Sequence, residues 1–121
     1  MADDVSFAST EFYQVTPGRP VTLEVTTGEE QASGTSLLLN GQPHPFRDHA
    51  GPQEIGNNLA GSVLHVKTVV KDDNPLTNRT SVVYELRGGA QTARFSFAID
   101  VNADKGSAHY LIAFILTKAA V

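Results

Sequence analysis

Residues 92–117 read TARFSFAIDVNADKGSAHYLIAFILT, and their pattern decides the fold. Phe95, Phe97 and Ile99 alternate with Arg94, Ser96 and Ala98. Successive side chains of a strand point to opposite faces, so this is a strand with one apolar side. Residues 110–116, YLIAFIL, are apolar at every position and form a second strand with two apolar faces. Asp100, Asn102 and Asp104 fill the acidic turn between them.

Working backward, residues 80–87 place Val82, Tyr84 and Leu86 together, and Gly88-Gly89-Ala90-Gln91 follows. A type II′ turn centred on Gly89-Ala90 suits a hairpin here. It predicts a register in which Arg87 faces Thr92, Glu85 faces Arg94, Tyr84 faces Phe95 and Val82 faces Phe97. Every pair is alike in polarity, and the charged pair is opposite in sign. Residues 62–70 also alternate, with Leu64, Val66, Thr68 and Val70 on one face and Val63, His65, Lys67 and Val69 on the other. The reading is a four-strand antiparallel meander over 61–117.

The first half adds shorter elements. Residues 5–7 and 12–15 read as strand pieces, and in 20–27 Val21, Leu23 and Val25 alternate with polar residues. Residues 28–34, GEEQASG, read as a loop, and 35–39 as a strand. Asn40-Gly41 is a strong hairpin signal because both positions tolerate positive φ. Pro43 and Pro45 then remove donors from one side only, which predicts an edge strand. Residues 47–58 show no periodicity and read as a long loop. One sheet must bury its apolar face against another layer. The fold class is therefore all-β: a two-layer antiparallel β-sandwich of about seven to nine strands, Ig-like in strand count and spacing, without substantial helix. The Cys…Trp…Cys signature of immunoglobulin domains is missing. One domain spans 1–121, with residues 1–4 a frayed N-terminus.

Composition narrows the function. The chain has 121 residues, 40% apolar and 18% charged, enough for one ordinary core. It has no cysteine, which removes disulfides and thiolate chemistry, and its net charge of −4 argues against nucleic acid. No apolar run approaches the length of a membrane span. MADD opens acidic with no apolar segment behind it, so the expected location is the cytoplasm, or export without a cleaved signal peptide. Tryptophan is absent, which weakens but leaves open a carbohydrate-binding surface. Residues 1–60 hold eight acids against Arg19 and Arg47, whereas residues 61–121 hold five acids against seven bases. That polarity suits stacking on copies of itself or meeting a charged partner.

The motifs that carry chemistry are few. Asp100, Asn102 and Asp104 have the alternate spacing of a calcium loop. Glycine comes one residue late for an EF-hand, and Leu111 stands where a bidentate Glu belongs. A polar hairpin loop explains the same residues. Asp72 and Asp73 lie in the turn at the same end of the predicted meander, and if the two turns approach their acids could share a calcium ion with this set. His44 and His49 bracket HPFRDH without a third ligand. His65 and His109 read as surface residues. No G-x-S-x-G, P-loop or H-E-x-x-H occurs, and nothing points to paired glycosidase carboxylates. Asn78-Arg79-Thr80 matches a glycosylation sequon and doubles as turn chemistry.

The last strand carries the partner signal. If Val101 pairs with His109, then Leu111, Ala113 and Ile115 face inward. Ile112, Phe114 and Leu116 then lie outside, beside Ala98 and near Val83. A register one residue away swaps the faces but still leaves one apolar set outside. An outer apolar surface of this size fits a loop cover from 47–58, a second copy or another protein. The functional expectation is a non-catalytic interaction or assembly module, self-associating through this outer face as a homo-oligomer. The alternative is a calcium-assisted lectin-like or small-ligand-binding domain.

Overall fold

A computed structural model of the protein describes residues 5–28, 32–48, 51–71, 79–101 and 106–119. Nine strands follow in chain order: β1 (Val5–Val15), β2 (Val21–Thr27), β3 (Ala32–Leu39), β4 (Gln42–His44), β5 (Gln53–Gly56), β6 (Val63–Lys71), β7 (Arg79–Arg87), β8 (Ala93–Asp100) and β9 (Ser107–Lys118). They form a five-stranded sheet, β1-β9-β6-β3-β4, and a four-stranded sheet, β5-β2-β7-β8. All pairings are antiparallel except β1 with β9, which is parallel. No helix occurs among the described residues. The architecture is an all-β, two-layer sandwich.

The β7–β8 hairpin has the predicted register: Glu85 faces Arg94, Tyr84 faces Phe95 and Val82 faces Phe97. Its turn differs from the predicted type II′ form. Gly88, not Gly89, has positive φ, at +98°. The glycines serve close packing instead. A Cβ on Gly88 would stand 1.8 Å from the Pro20 carbonyl oxygen, and one on Gly89 would stand 2.0 Å from that of Gln14. The Gly89 N–H donates to the Tyr13 hydroxyl, which donates to the Gln91 carbonyl. This docks the hairpin turn onto the end of β1.

The meander does not form. β6 and β9 pair with each other, β7 and β8 lie in the other sheet, and the Val101–His109 pairing is absent. A chain that leaves one sheet and returns through the other buries two apolar faces at once, which a single meander leaves open. Residues 5–15 are one strand rather than two pieces, because the whole length pairs with β9. Residues 47–58 contain β5, whose single buried side chain, Ile55, is too short a signal for periodicity. The Asn40-Gly41 hairpin forms as predicted, with Asn40 at φ +51° and Gly41 at φ +81°, and β4 is an edge strand.

The core is aromatic at its centre. Phe114 lies 5.2 Å, ring to ring, from Phe95 and 5.9 Å from Tyr84, so one β9 side chain touches two strands of the opposite sheet. Two buried hydroxyl clusters bridge the layers. Tyr84 of β7 donates to Thr68 of β6, which bonds Thr35 of β3. Tyr110 of β9 bonds Thr80 of β7 and accepts from the Ile99 N–H of β8. Buried polar groups are tolerated when bonded, and here the bonds join the sheets. Burial pushes both phenols, Tyr84 and Tyr110, above the ordinary tyrosine range.

Candidate binding face

The outer face of the five-stranded sheet is read directly from its registers. One row crosses it as Ala8, Leu111, Lys67 and Ser36. The next runs Thr10, Ala113, His65, Leu38 and Pro43. Beyond it stand Phe12, Ile115 and Val63, and on the other side Ser6, His109, Val69 and Gly34. Phe12 is 68% exposed, Leu111 43% and Leu38 42%, the three large hydrophobic side chains most open to water among the described residues. Ala8, Leu38, His65, Lys67, Leu111 and Ala113 line a depression of about 520 Å³ in the middle of this face.

Among the described residues the formal charge on this face, from Lys67 and Lys71, has one sign. Lys67 and Lys71 of β6 point outward with His65 and His109. Among the described outward-facing residues of this sheet there is no Asp or Glu. Glu11 of β1 has the opposite parity. It points into the sandwich, half-buried, and accepts a hydrogen bond from Ser9.

The outer face of the four-stranded sheet differs. Its central rows are Thr22 and Arg87, then Glu24, Glu85 and Arg94, then Thr26, Val83 and Ser96. Arg87 and Arg94 both pair with Glu85. Ser81 and Ala98, then Arg79 and Asp100, follow, and Glu54 of β5 stands beside Thr22.

The structure corrects the predicted interface. Ile112, Phe114 and Leu116 face inward and are at most 1% exposed, so they are core and not surface. The complementary set, Leu111, Ala113 and Ile115, faces out. The reversal follows from the absent Val101–His109 pairing: β9 is oriented by β6 and β1, not by β8. Ala98 and Val83 lie on the outer face of the other sheet and do not adjoin this surface. The predicted loop cover from 47–58 instead supplies β5, Gln53–Gly56, which pairs with β2 in the other sheet.

Of the calcium residues, Asp100 is exposed at the end of β8, opposite Arg79. Asn102, Asp104, Asp72 and Asp73 lie outside the described residues. Among the described residues no three His, Cys, Asp or Glu side chains are grouped to hold a metal. His44 ties β4 to the other sheet: its ring nitrogens lie 2.9 Å from the carbonyls of Pro45 and Ile55. His49 is outside the described residues. His65 is exposed, as its outward position predicts.

Phe12, Leu38 and Ala8 lie on this face without having been singled out from the sequence, and Ala113, placed inward from the sequence, lies here too. Phe12 had a readable signal, since it breaks the alternation of Val5, Phe7, Tyr13 and Val15 in its own strand. Leu38 had none, because residues 37–39 are leucine throughout. Comparison with protein-family models, with curated proteins and with solved structures gives no match.

Proposed function

We propose that the protein is a non-catalytic interaction module and that a partner protein docks on the outer face of the five-stranded sheet. The observation that carries this is the apolar centre of that face, open to water at Phe12, Leu111 and Leu38. Strands ~4.8 Å apart and rising ~3.3 Å per residue give a five-stranded face of roughly 700 Å². A standard docking patch buries roughly 800 Å² per partner. The depression around Leu111 and Leu38 suits an inserted apolar side chain, the anchor such interfaces use.

Charge selects the partner. A second copy laid face to face would bring Lys67 and Lys71 of both copies to one interface that holds no acid among the described residues, and like charges across an interface are repulsive. An acidic partner meets them favourably. The partner of this face is therefore a different protein, apolar at its contact centre and acidic around it. The calcium-assisted alternative has Asp100 alone behind it among the described residues.

The test uses an apolar anionic dye, anilinonaphthalene sulfonate, and then capture of partners. Native protein binds the dye, and Leu111→Glu, which adds an acid to the apolar centre, abolishes the signal. Proteins retained by the wild type from a cell extract are lost on Leu111→Glu and kept on Thr26→Glu, a substitution on the other sheet. Dye silence of the folded wild type, or capture indifferent to Leu111→Glu, overturns the proposal.

A further inference from the structure

The two open sides of the sandwich are built differently. On one side lie β4, three residues long with Pro43 inside it and Pro45 after it, and β5, four residues long with Pro52 before it. The His44 ring bonds the Ile55 carbonyl between them. Short strands and prolines are devices that stop an edge from pairing further. On the other side lie the long edges β1 and β8. β1 is guarded by the inward carboxylate of Glu11, and its far end is taken by the Ala90 N–H, which donates to the Gln14 carbonyl. β8 has eight residues and no proline, and among the described strands only β7 pairs with it.

β8 is also incompletely covered. Its inward side chains Ala93, Phe95, Phe97 and Ile99 are all half-buried, whereas their β7 counterparts Thr80, Val82, Tyr84 and Leu86 are fully buried. The sheet has four strands under a five-stranded one. The Gly28 N–H donates to the Ser81 carbonyl, so Ser81 turns its backbone toward β2. Antiparallel ladders alternate. Thr80, Val82 and Tyr84 therefore turn toward β8 and engage Ile99, Phe97 and Phe95. The N–H and C=O groups of Arg94, Ser96, Ala98 and Asp100 are left aimed at the edge that no described strand pairs with.

We infer that β8 pairs antiparallel with β8 of a second copy across a two-fold axis at Phe97, joining the two four-stranded sheets into one. The side chains specify this register. Arg94 opposes Asp100 of the second copy, Ser96 opposes Ala98, Phe95 opposes Ile99, and Phe97 opposes itself. The symmetry makes each charged pair twice. A slide of two residues either way removes both pairs. The charges also alternate across the seam: Glu85 beside Arg94, then Asp100 and Arg79 of the second copy. The half-buried Phe95, Phe97 and Ile99 rows meet their own kind, as cross-strand pairs prefer. This edge is on a different sheet from the partner-binding face, so a dimer formed here keeps that face available.

Molar mass by sedimentation with charge-reversed variants tests the pairing. The expected result for the wild type is the mass of a dimer. Arg94→Asp and Asp100→Arg each place like charges opposite one another and raise the dissociation constant roughly a hundredfold or more. Both singles are therefore monomers. Mixed in equal amounts they form a heterodimer, because each then supplies the sign the other lacks. The double variant is again a dimer but does not exchange subunits with the wild type, which decides the matter even if a single variant fails to fold. Leu111→Glu leaves the dimer intact, which separates this result from the fate of the partner-binding face. A monomeric wild type, a dimer indifferent to both reversals, or free exchange between wild type and double variant overturns the inference.

Discussion

The two outer faces of the sandwich are made by the same alternation and spent differently. On the four-stranded sheet the outward residues of its three long strands are polar or charged except Val83 and Ala98, with acids such as Glu85 set beside Arg87 and Arg94. On the five-stranded sheet they are Phe12, Leu38, Val63, Leu111 and Ile115 with lysines and histidines and no acid among the described residues. Antiparallel sheets that face water on one side are ordinarily polar there, as the first face is. Apolar area retained on the second face is what a docking surface keeps. The lesson is that an apolar strand has to be judged together with its neighbours. β9 is apolar on both faces, and only the registers with β1 and β6 tell which side is core.

The comparison breaks first at the core. Phe114→Glu puts a carboxylate between the sheets, against Tyr84 and Phe95. Removing such a ring alone costs about 3–5 kcal/mol, and the charge adds to that. The variant is expected to be unfolded by circular dichroism, whereas Leu111→Glu, three residues earlier, is folded. A folded Phe114→Glu protein would mean that β9 is turned the other way.

The hydroxyl bridges come next. Tyr84→Phe removes a bond between the layers and should cost about 1 kcal/mol by denaturant titration. Both buried tyrosines have folded-state values raised above the unfolded one of about 10. Their contribution is therefore complete below pH 10 and is lost as pH rises through the alkaline range, because only the unfolded state releases those protons. Stability measured against pH should fall above pH 10, and more shallowly in Tyr84→Phe.

Leu111→Glu ranks third for stability, with a change within about 1 kcal/mol, while dye binding disappears. Thr26→Glu is the smallest: stability within about 0.5 kcal/mol and dye binding unchanged. If Thr26→Glu reduced dye binding as much as Leu111→Glu does, the two faces would not differ in the way their residues indicate.

Much of this was legible in the sequence where the information is local. The β7–β8 register follows from paired polarity over a few residues, and Asn40-Gly41 announces its turn by backbone preference. The inward row of β6, Leu64 to Val70 by twos, is plain alternation. The apolar outer face was half legible. His65, Lys67 and Val63 were placed outward correctly by parity, while Leu111 was assigned to the core, because a run without polar residues has no parity to read.

By itself the sequence determined the all-β class, the two-layer sandwich, the hairpins at 40–41 and 88–91, and an apolar surplus on the last strand. Those depend on periodicity and turn chemistry between near neighbours in the chain. Only the tertiary structure decided that β6 and β9 share a sheet with β1, that Phe114 is core, and that Leu111 joins Leu38 and Phe12 on one surface. Each of these turns on which strands pair across long separations. That choice is made by burying every apolar face at once, which no single segment encodes.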